Sequence, residues 1–161
     1  MKACLHEGFT FIELMVTVGL TMFLFYGIAA SYTQFTDDSR LRQAALTFKN
    51  DLRFAQSKAT SGQKPINIAC DELTGYQVSF TAGTYSVQAQ CNPVQSLAPV
   101  ITVTFANAVT FYPVPSRSLT FGVLTRGVNI DSAAAFTLVR GNRKYLITVT
   151  PQGDIIDGGL Q

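Results

Sequence analysis

The chain has 161 residues, of which 47% are hydrophobic and only 14% charged, and its formal net charge is +2. That length fits one domain of ordinary size, or a small domain with an appendage. The composition excludes a disordered chain, and the charge excludes a strongly basic nucleic-acid module and an acidic tail protein.

The apolar residues are concentrated near the start. From Leu14 to Thr36 the chain runs 23 residues without a charge, between Glu13 and Asp37. About 20 such residues suffice for a membrane-crossing helix. The run is long for a secretory signal, whose apolar stretch is about 7–15 residues, yet Gly27-Ile28-Ala29 and Ile28-Ala29-Ala30 are acceptable small-x-small cleavage sites. Both readings stand on the run alone. Arg40, Arg42, Lys49 and Arg53 follow it and only Lys2 precedes it. Counted by the positive-inside rule, that places the C-terminal part in the cytoplasm. Glu13 is the anomaly. A carboxylate costs roughly 2.5–3.5 kcal/mol at the centre of a membrane helix, less near its end, and marks a functional position. The bland alternative is a first-turn acid favoured by the helix dipole.

Before the run stands the polar leader Met1-Lys2-Ala3-Cys4-Leu5-His6-Glu7-Gly8, followed by Phe9-Thr10-Phe11-Ile12-Glu13. Gly8, Phe9, Thr10 and Glu13 resemble the class III signal of type IV pilins and pseudopilins, with the apolar helix starting directly after it. The resemblance implies a leader, residues 1–8, removed by a prepilin peptidase between Gly8 and Phe9, and N-methylation of Phe9. It implies that residues 9–36 form a transmembrane or filament-core helix. It also implies that Glu13 meets the Phe9 amine of a neighbouring subunit during assembly. The head then lies in the periplasm and the anchor in the inner membrane, against the Lys/Arg count.

Residues 37–62 continue as the amphipathic half of the same helix. Leu41, Ala45, Phe48, Leu52, Ala55 and Ala59 recur at spacings of four and three and make one stripe. Arg42, Lys49, Arg53 and Gln56 fall opposite, and Asp38 and Arg42 form an i,i+4 pair. Ser61-Gly62 and then Pro65 stop the helix.

Residues 63–161 read as a β head. Strands are predicted at Ile66–Cys70, Gly75–Phe80, Thr84–Gln90, Val100–Phe105, Val109–Tyr112, Leu119–Val123, Phe136–Arg140 and Tyr145–Thr150. Turn signals at Ala82-Gly83, Asn92-Pro93, Gly141-Asn142 and Pro151-Gln152-Gly153 separate them. Short, evenly spaced strands predict an antiparallel sheet. The fold class is therefore α+β: a long N-terminal helix, half membrane-spanning and half amphipathic, packed on an antiparallel β-sheet head. Phe54-Ala55-Gln56-Ser57, Leu119-Thr120-Phe121 with Arg126-Gly127, and Ile147 through Pro151-Gln152-Gly153 are similar to stretches of the GspH/FimT group of minor pilins and pseudopilins.

Removal of the leader leaves Cys70 and Cys91 as a pair. In an oxidising compartment an even count reads as a disulfide, the alternatives being a free buried pair or a metal site short of ligands. His6, the only histidine, also leaves with the leader. Without it no Ser-His-Asp or Cys-His nucleophile is possible. No phosphate-binding glycine loop is present. Catalysis, metal and cofactor are therefore not expected. The implied function is a minor pilin that helps initiate or cap a type IV pilus, with the prepilin peptidase, other major and minor pilins and the inner membrane as partners. A minor pseudopilin of a type II secretion system is the first alternative. A DNA-binding minor pilin is the second. Members of the FimT branch that bind DNA carry Gly-Arg-x-Arg after the final turn, where this chain has Gly153-Asp154-Ile155-Ile156. The remaining basic cluster, Arg140, Arg143 and Lys144, could neutralise about three phosphates.

Overall fold

A computed structural model describes residues 9–65, 70–93, 99–106 and 108–161, without the side chains of 27–34. The chain divides into two compact units, Met1–Thr36 and Asp37–Gln161, and the division falls within helix α1 (Phe11–Thr60). In the first unit the helix starts on a cap. The Glu13 backbone N–H donates to Thr10 Oγ1 (3.4 Å), and the Thr10 hydroxyl faces Glu13 Oε2 at 3.5 Å. This is half of a capping box, and it satisfies one of the orphan N–H groups of the first turn.

The expected membrane-spanning half is corrected here. Among the described residues no helix is long and apolar enough to cross a membrane.

The second unit begins with the remainder of α1. Its stripe of Leu41, Ala45, Phe48, Leu52, Ala55 and Ala59 is fully buried. The helix end is set by Gly62, at φ +59°. There the Gly62 N–H donates to Ala59 O (3.0 Å) and the Gln63 N–H to Lys58 O (3.1 Å). Those two bonds form a Schellman motif, which requires the left-handed conformation that glycine adopts without strain.

The head, expected as one antiparallel sheet, is two. Strands β1 (Glu72–Phe80), β2 (Thr84–Asn92), β3 (Ile101–Thr104) and β5 (Leu119–Gly122) form the first, in the order β3-β2-β1-β5. Strands β4 (Thr110–Phe111), β6 (Ala134–Arg140), β7 (Arg143–Val149) and β8 (Ile155–Leu160) form the second, in the order β4-β6-β7-β8. Every pairing is antiparallel. In β2 and β7 buried and part-exposed residues alternate, as a half-buried strand requires.

One strand expectation is not tested: of the segment predicted at Ile66–Cys70, residues 66–69 lie outside the described residues, and Cys70 itself is not in a strand. Conversely, β8 was not foreseen. Its Asp157-Gly158-Gly159 reads locally as a turn, and pairing with β7 across an irregularity at Leu146/Ile147 supplies the ladder that local propensity denies it.

One core joins the three layers. Phe48, from the helix, meets Phe80 of β1, Tyr85 of β2, Phe111 of β4 and Phe136 of β6, with ring centroids 6.0, 5.0, 5.2 and 5.7 Å away, all edge to face. Those are the distances at which aromatic quadrupoles attract. Cys70 and Cys91 form a disulfide, Cα–Cα 5.5 Å, that ties the entry of β1 to the end of β2.

Two stability predictions follow from this packing. Phe48→Ala opens a cavity that both sheets line, and should cost roughly 3–5 kcal/mol, read as a lower urea midpoint for the full chain in mild detergent. A loss under 1 kcal/mol would show that the sheets hold together without it. Cys70→Ser frees a loop of 22 residues in the unfolded chain and should cost about 3 kcal/mol. Native wild-type protein should show no titratable thiol at Cys70 or Cys91.

Candidate functional site

Three places carry the residues singled out by sequence. The first is the N-terminal segment. Gly8 lies outside the described residues, while Phe9 is 74% exposed and Glu13 is exposed one turn in. Before and beyond Glu13, apolar side chains point outward on every side of the helix. Phe11, Leu14, Met15, Val18, Met22, Phe23 and Phe25 are all exposed, Phe23 by 80%. Thr17 and Thr21, which interrupt the run, return their hydroxyls to the backbone carbonyls of Leu14 and Thr17 at 2.9 and 3.0 Å. Their polarity is thereby satisfied within the helix, and the surface it offers is apolar.

The second place is the basic hairpin turn between β6 and β7. Arg140 donates from Nε to Asp37 Oδ1 at 2.9 Å and lies 2.8 Å from the same oxygen through its terminal nitrogen. Arg143 pairs with Asp38 Oδ2 at 2.7 Å. The expected Asp38–Arg42 pair therefore gives way to one that reaches across 105 residues. Arg143 and Arg140 approach the two adjacent acids together, which a single helical neighbour does not match. Asp38 Oδ1 is left buried with no hydrogen-bond partner. Lys144 is exposed, and its backbone pairs with that of Gln161 in both directions.

The third place was not foreseen as a cluster. Two stretches far apart in sequence, at Arg126 and at Gly153, converge on one helix residue, Gln56. Its Nε2 donates to the Gly153 carbonyl at 2.7 Å and lies 3.4 Å from the Arg126 carbonyl. Gly153 has φ +90°, and a Cβ there would stand 1.9 Å from Arg126 O. Only glycine lets the final turn come so close to the Arg126-Gly127 loop. The Val128 N–H donates to Pro151 O at 3.0 Å and closes the junction. Beside it lies a cavity of about 280 Å³ lined by Arg53, Gln56, Arg126, Gly153, Asp154 and Ile155.

Sequence reasoning set Lys49 on the solvated face, opposite the buried stripe. The structure instead brings Lys49 Nζ 2.9 Å from Asp157 Oδ2, and the Tyr145 hydroxyl donates to Asp157 Oδ1 at 2.7 Å. The Gly159 N–H adds a third donor at 3.1 Å. Asp157 is held below the ordinary carboxylate value, first by the Lys49 hydrogen bond, then by Tyr145, with burial opposing. The Tyr145 phenol is pushed up, chiefly by burial and then by Asp157. Tyr85 follows the same rule more strongly, since burial and its hydrogen bond to Asp51 hold it well above its ordinary range. No local pattern could have signalled Lys49–Asp157, because the partners are 108 residues apart.

Among the described residues no group of three His, Cys, Asp or Glu side chains converges as a metal site. No family model, no curated protein and no solved structure matches this chain.

The Asp157 network gives a pH prediction. Because its folded pKa lies below the unfolded value, its contribution is complete at neutral pH. That contribution fades as the pH falls through the ordinary value of 3.8 and then through the folded one. The stability difference between wild type and Asp157→Asn should therefore be largest near neutrality and shrink towards about pH 3. Chemical denaturation at a series of pH values measures it, and a difference independent of pH would remove Asp157 as the titrating group.

Proposed function

We propose that the chain is a minor subunit of a type IV pilus that helps to initiate or cap filament assembly. The observation that carries this reading is the helix of the first unit, apolar on all sides and exposed from Phe11 to Tyr26. Such a helix requires apolar surroundings, either lipid or other helices of the same kind. Gly8, Phe9, Thr10 and Glu13 stand immediately at its start, in the pattern of a processed pilin signal. Before assembly the protein associates with the inner membrane. Its head lies in the periplasm, a compartment in which the Cys70–Cys91 disulfide persists.

In this mechanism the prepilin peptidase cuts between Gly8 and Phe9 and creates an amine at Phe9, which is then methylated. In the filament the apolar helix packs against helices of the same kind, and close packing supplies the net attraction. The exposed Glu13 carboxylate pairs with the Phe9 amine of the adjoining subunit and sets axial register. An unpaired carboxylate in an apolar bundle costs more than a register shift gains, so mis-set subunits are rejected. The role is structural, and no catalytic step is assigned to the chain.

Arg140 and Arg143 already face Asp37 and Asp38. Phosphate contacts there would compete with two formed ion pairs, which favours the filament reading over nucleic-acid binding.

Intact mass of membrane-extracted protein tests the processing step: the chain should begin at Phe9 with one added methyl. Glu13→Ala should be processed and delivered normally yet be absent from filaments and from complexes with other pilins. Normal piliation with the Glu13→Ala subunit incorporated would sink the register argument.

A further inference from the structure

The cavity beside Gln56 has a composition that the filament mechanism leaves unexplained. Arg53 comes from α1 and Arg126 from the loop after β5, and Asp154 follows the final turn. Among the described residues none of the three makes an ion pair, although three other ion pairs form in the same unit. The cavity is held open by fixed backbone. Gln56 ties the Gly153 and Arg126 carbonyls, and the missing Cβ of Gly153 sets their separation. The Asp154 N–H is occupied by Thr150 Oγ1 at 3.0 Å, so the turn does not need the Asp154 carboxylate for its own closure.

We propose that this cavity receives the side-chain carboxylate of an aspartate or glutamate on a neighbouring protein subunit. Two guanidinium groups and one carboxylate give a net charge of +1, which a single carboxylate neutralises. A dianionic phosphate would leave an excess of negative charge beside Asp154, and a run of phosphodiesters would meet that acid as well. The planar fork of arginine matches the two oxygens of a carboxylate. The volume of about 280 Å³ admits an acidic side chain. Both arginines are exposed, so a free carboxylic acid gains little from them in water. The same acid delivered by a subunit interface arrives with the surrounding water excluded, and there the pairing is strong and sets partner choice. The inference rests on the assembly reading for the identity of its partner, and on the cavity alone for its chemistry.

Photo-crosslinking of the full chain in cells tests it. A benzoylphenylalanine placed at Gln152, exposed next to Gly153 and outside the lining, reports what docks there. The expected adduct is with another pilus subunit, through a peptide that contains Asp or Glu. Arg53→Gln combined with Arg126→Gln should lower its yield by about tenfold or more, as loss of an interfacial charge pair does. The corresponding Asp→Asn or Glu→Gln change on the partner should lower it equally. Asp154→Asn should raise the yield, since it removes the one competing carboxylate. Retention of the Cys70–Cys91 disulfide and of the wild-type unfolding midpoint shows that the variants fold. Should the double variant not fold, the opposite signs expected of Asp154→Asn and of the partner change still decide. An absent adduct, a yield indifferent to the arginines, or a fall with Asp154→Asn would overturn the proposal. The two readings fail separately. Normal piliation by Glu13→Ala counts against the assembly mechanism, whereas an adduct that survives loss of both arginines counts against the cavity.

Discussion

Everything in the second unit depends on one helix face being dry. Leu41, Ala45, Phe48, Leu52, Ala55 and Ala59 lie at zero exposure, and each of the two sheets turns its apolar side to the same core. Phe48 is the point where the layers meet, since its ring touches side chains from β1, β2, β4 and β6. A four-stranded antiparallel sheet with one apolar face needs a cover. Here one helix helps to cover two sheets, so neither sheet is independent of it. Phe48 fills the space where the two sheets and the helix meet.

Polar links then fix what burial leaves free. An apolar stripe allows a helix to slide or rotate by a fraction of a turn, and directional bonds do not. Asp37 and Asp38 hold the first turn of the second unit to the β6–β7 hairpin, Lys49 holds its middle to β8, and Gln56 its later part to the final turn. All of these contacts lie on the side of the second sheet. On the first sheet, the Asp51 carboxylate accepts from Tyr85, and the Leu124 N–H donates to Ala59 O beside the helix cap. Surface ion pairs of this kind add little to stability one by one. Their effect is on register.

The periodic parts of the fold were legible in the sequence. The six-residue stripe has a spacing that only a helix face explains, and the hairpin at Gly141-Asn142 was marked by its turn residues and sits between Arg140 and Arg143 as paired neighbours. What could not be read was anything set by distant pairing. The division of eight strands into two sheets depends on which edges meet, and alternation within a strand carries no information about that. Strand β8 is held by β7 despite two adjacent glycines, and Lys49 was placed on a solvated face because Asp157 is far away in sequence. The site followed the same rule. Arg126-Gly127 and Pro151-Gln152-Gly153 were visible as separate stretches, but only the folded chain shows that both serve Gln56. The membrane-spanning reading was a different kind of error. It counted uncharged residues, whereas a crossing requires sustained hydropathy, and no described helix is long and apolar enough.

The contact between Gly153 and the Arg126 carbonyl divides the head into regions of unequal evolutionary freedom. Where two backbones touch with no side chain between them, no compensating change elsewhere can restore room for a Cβ, because there is nothing to trim. Position 153 is thus closed to drift, and both loops that meet there inherit its constraint on length. The hairpin at Gly141-Asn142 has open space around its glycine and meets no such barrier. Insertions, epitope tags and natural length variation should accumulate at that tip. The opposite end of the sheet would stay fixed in length while its exposed side chains, Arg126 and Asp154 among them, remain free to diversify as partners change.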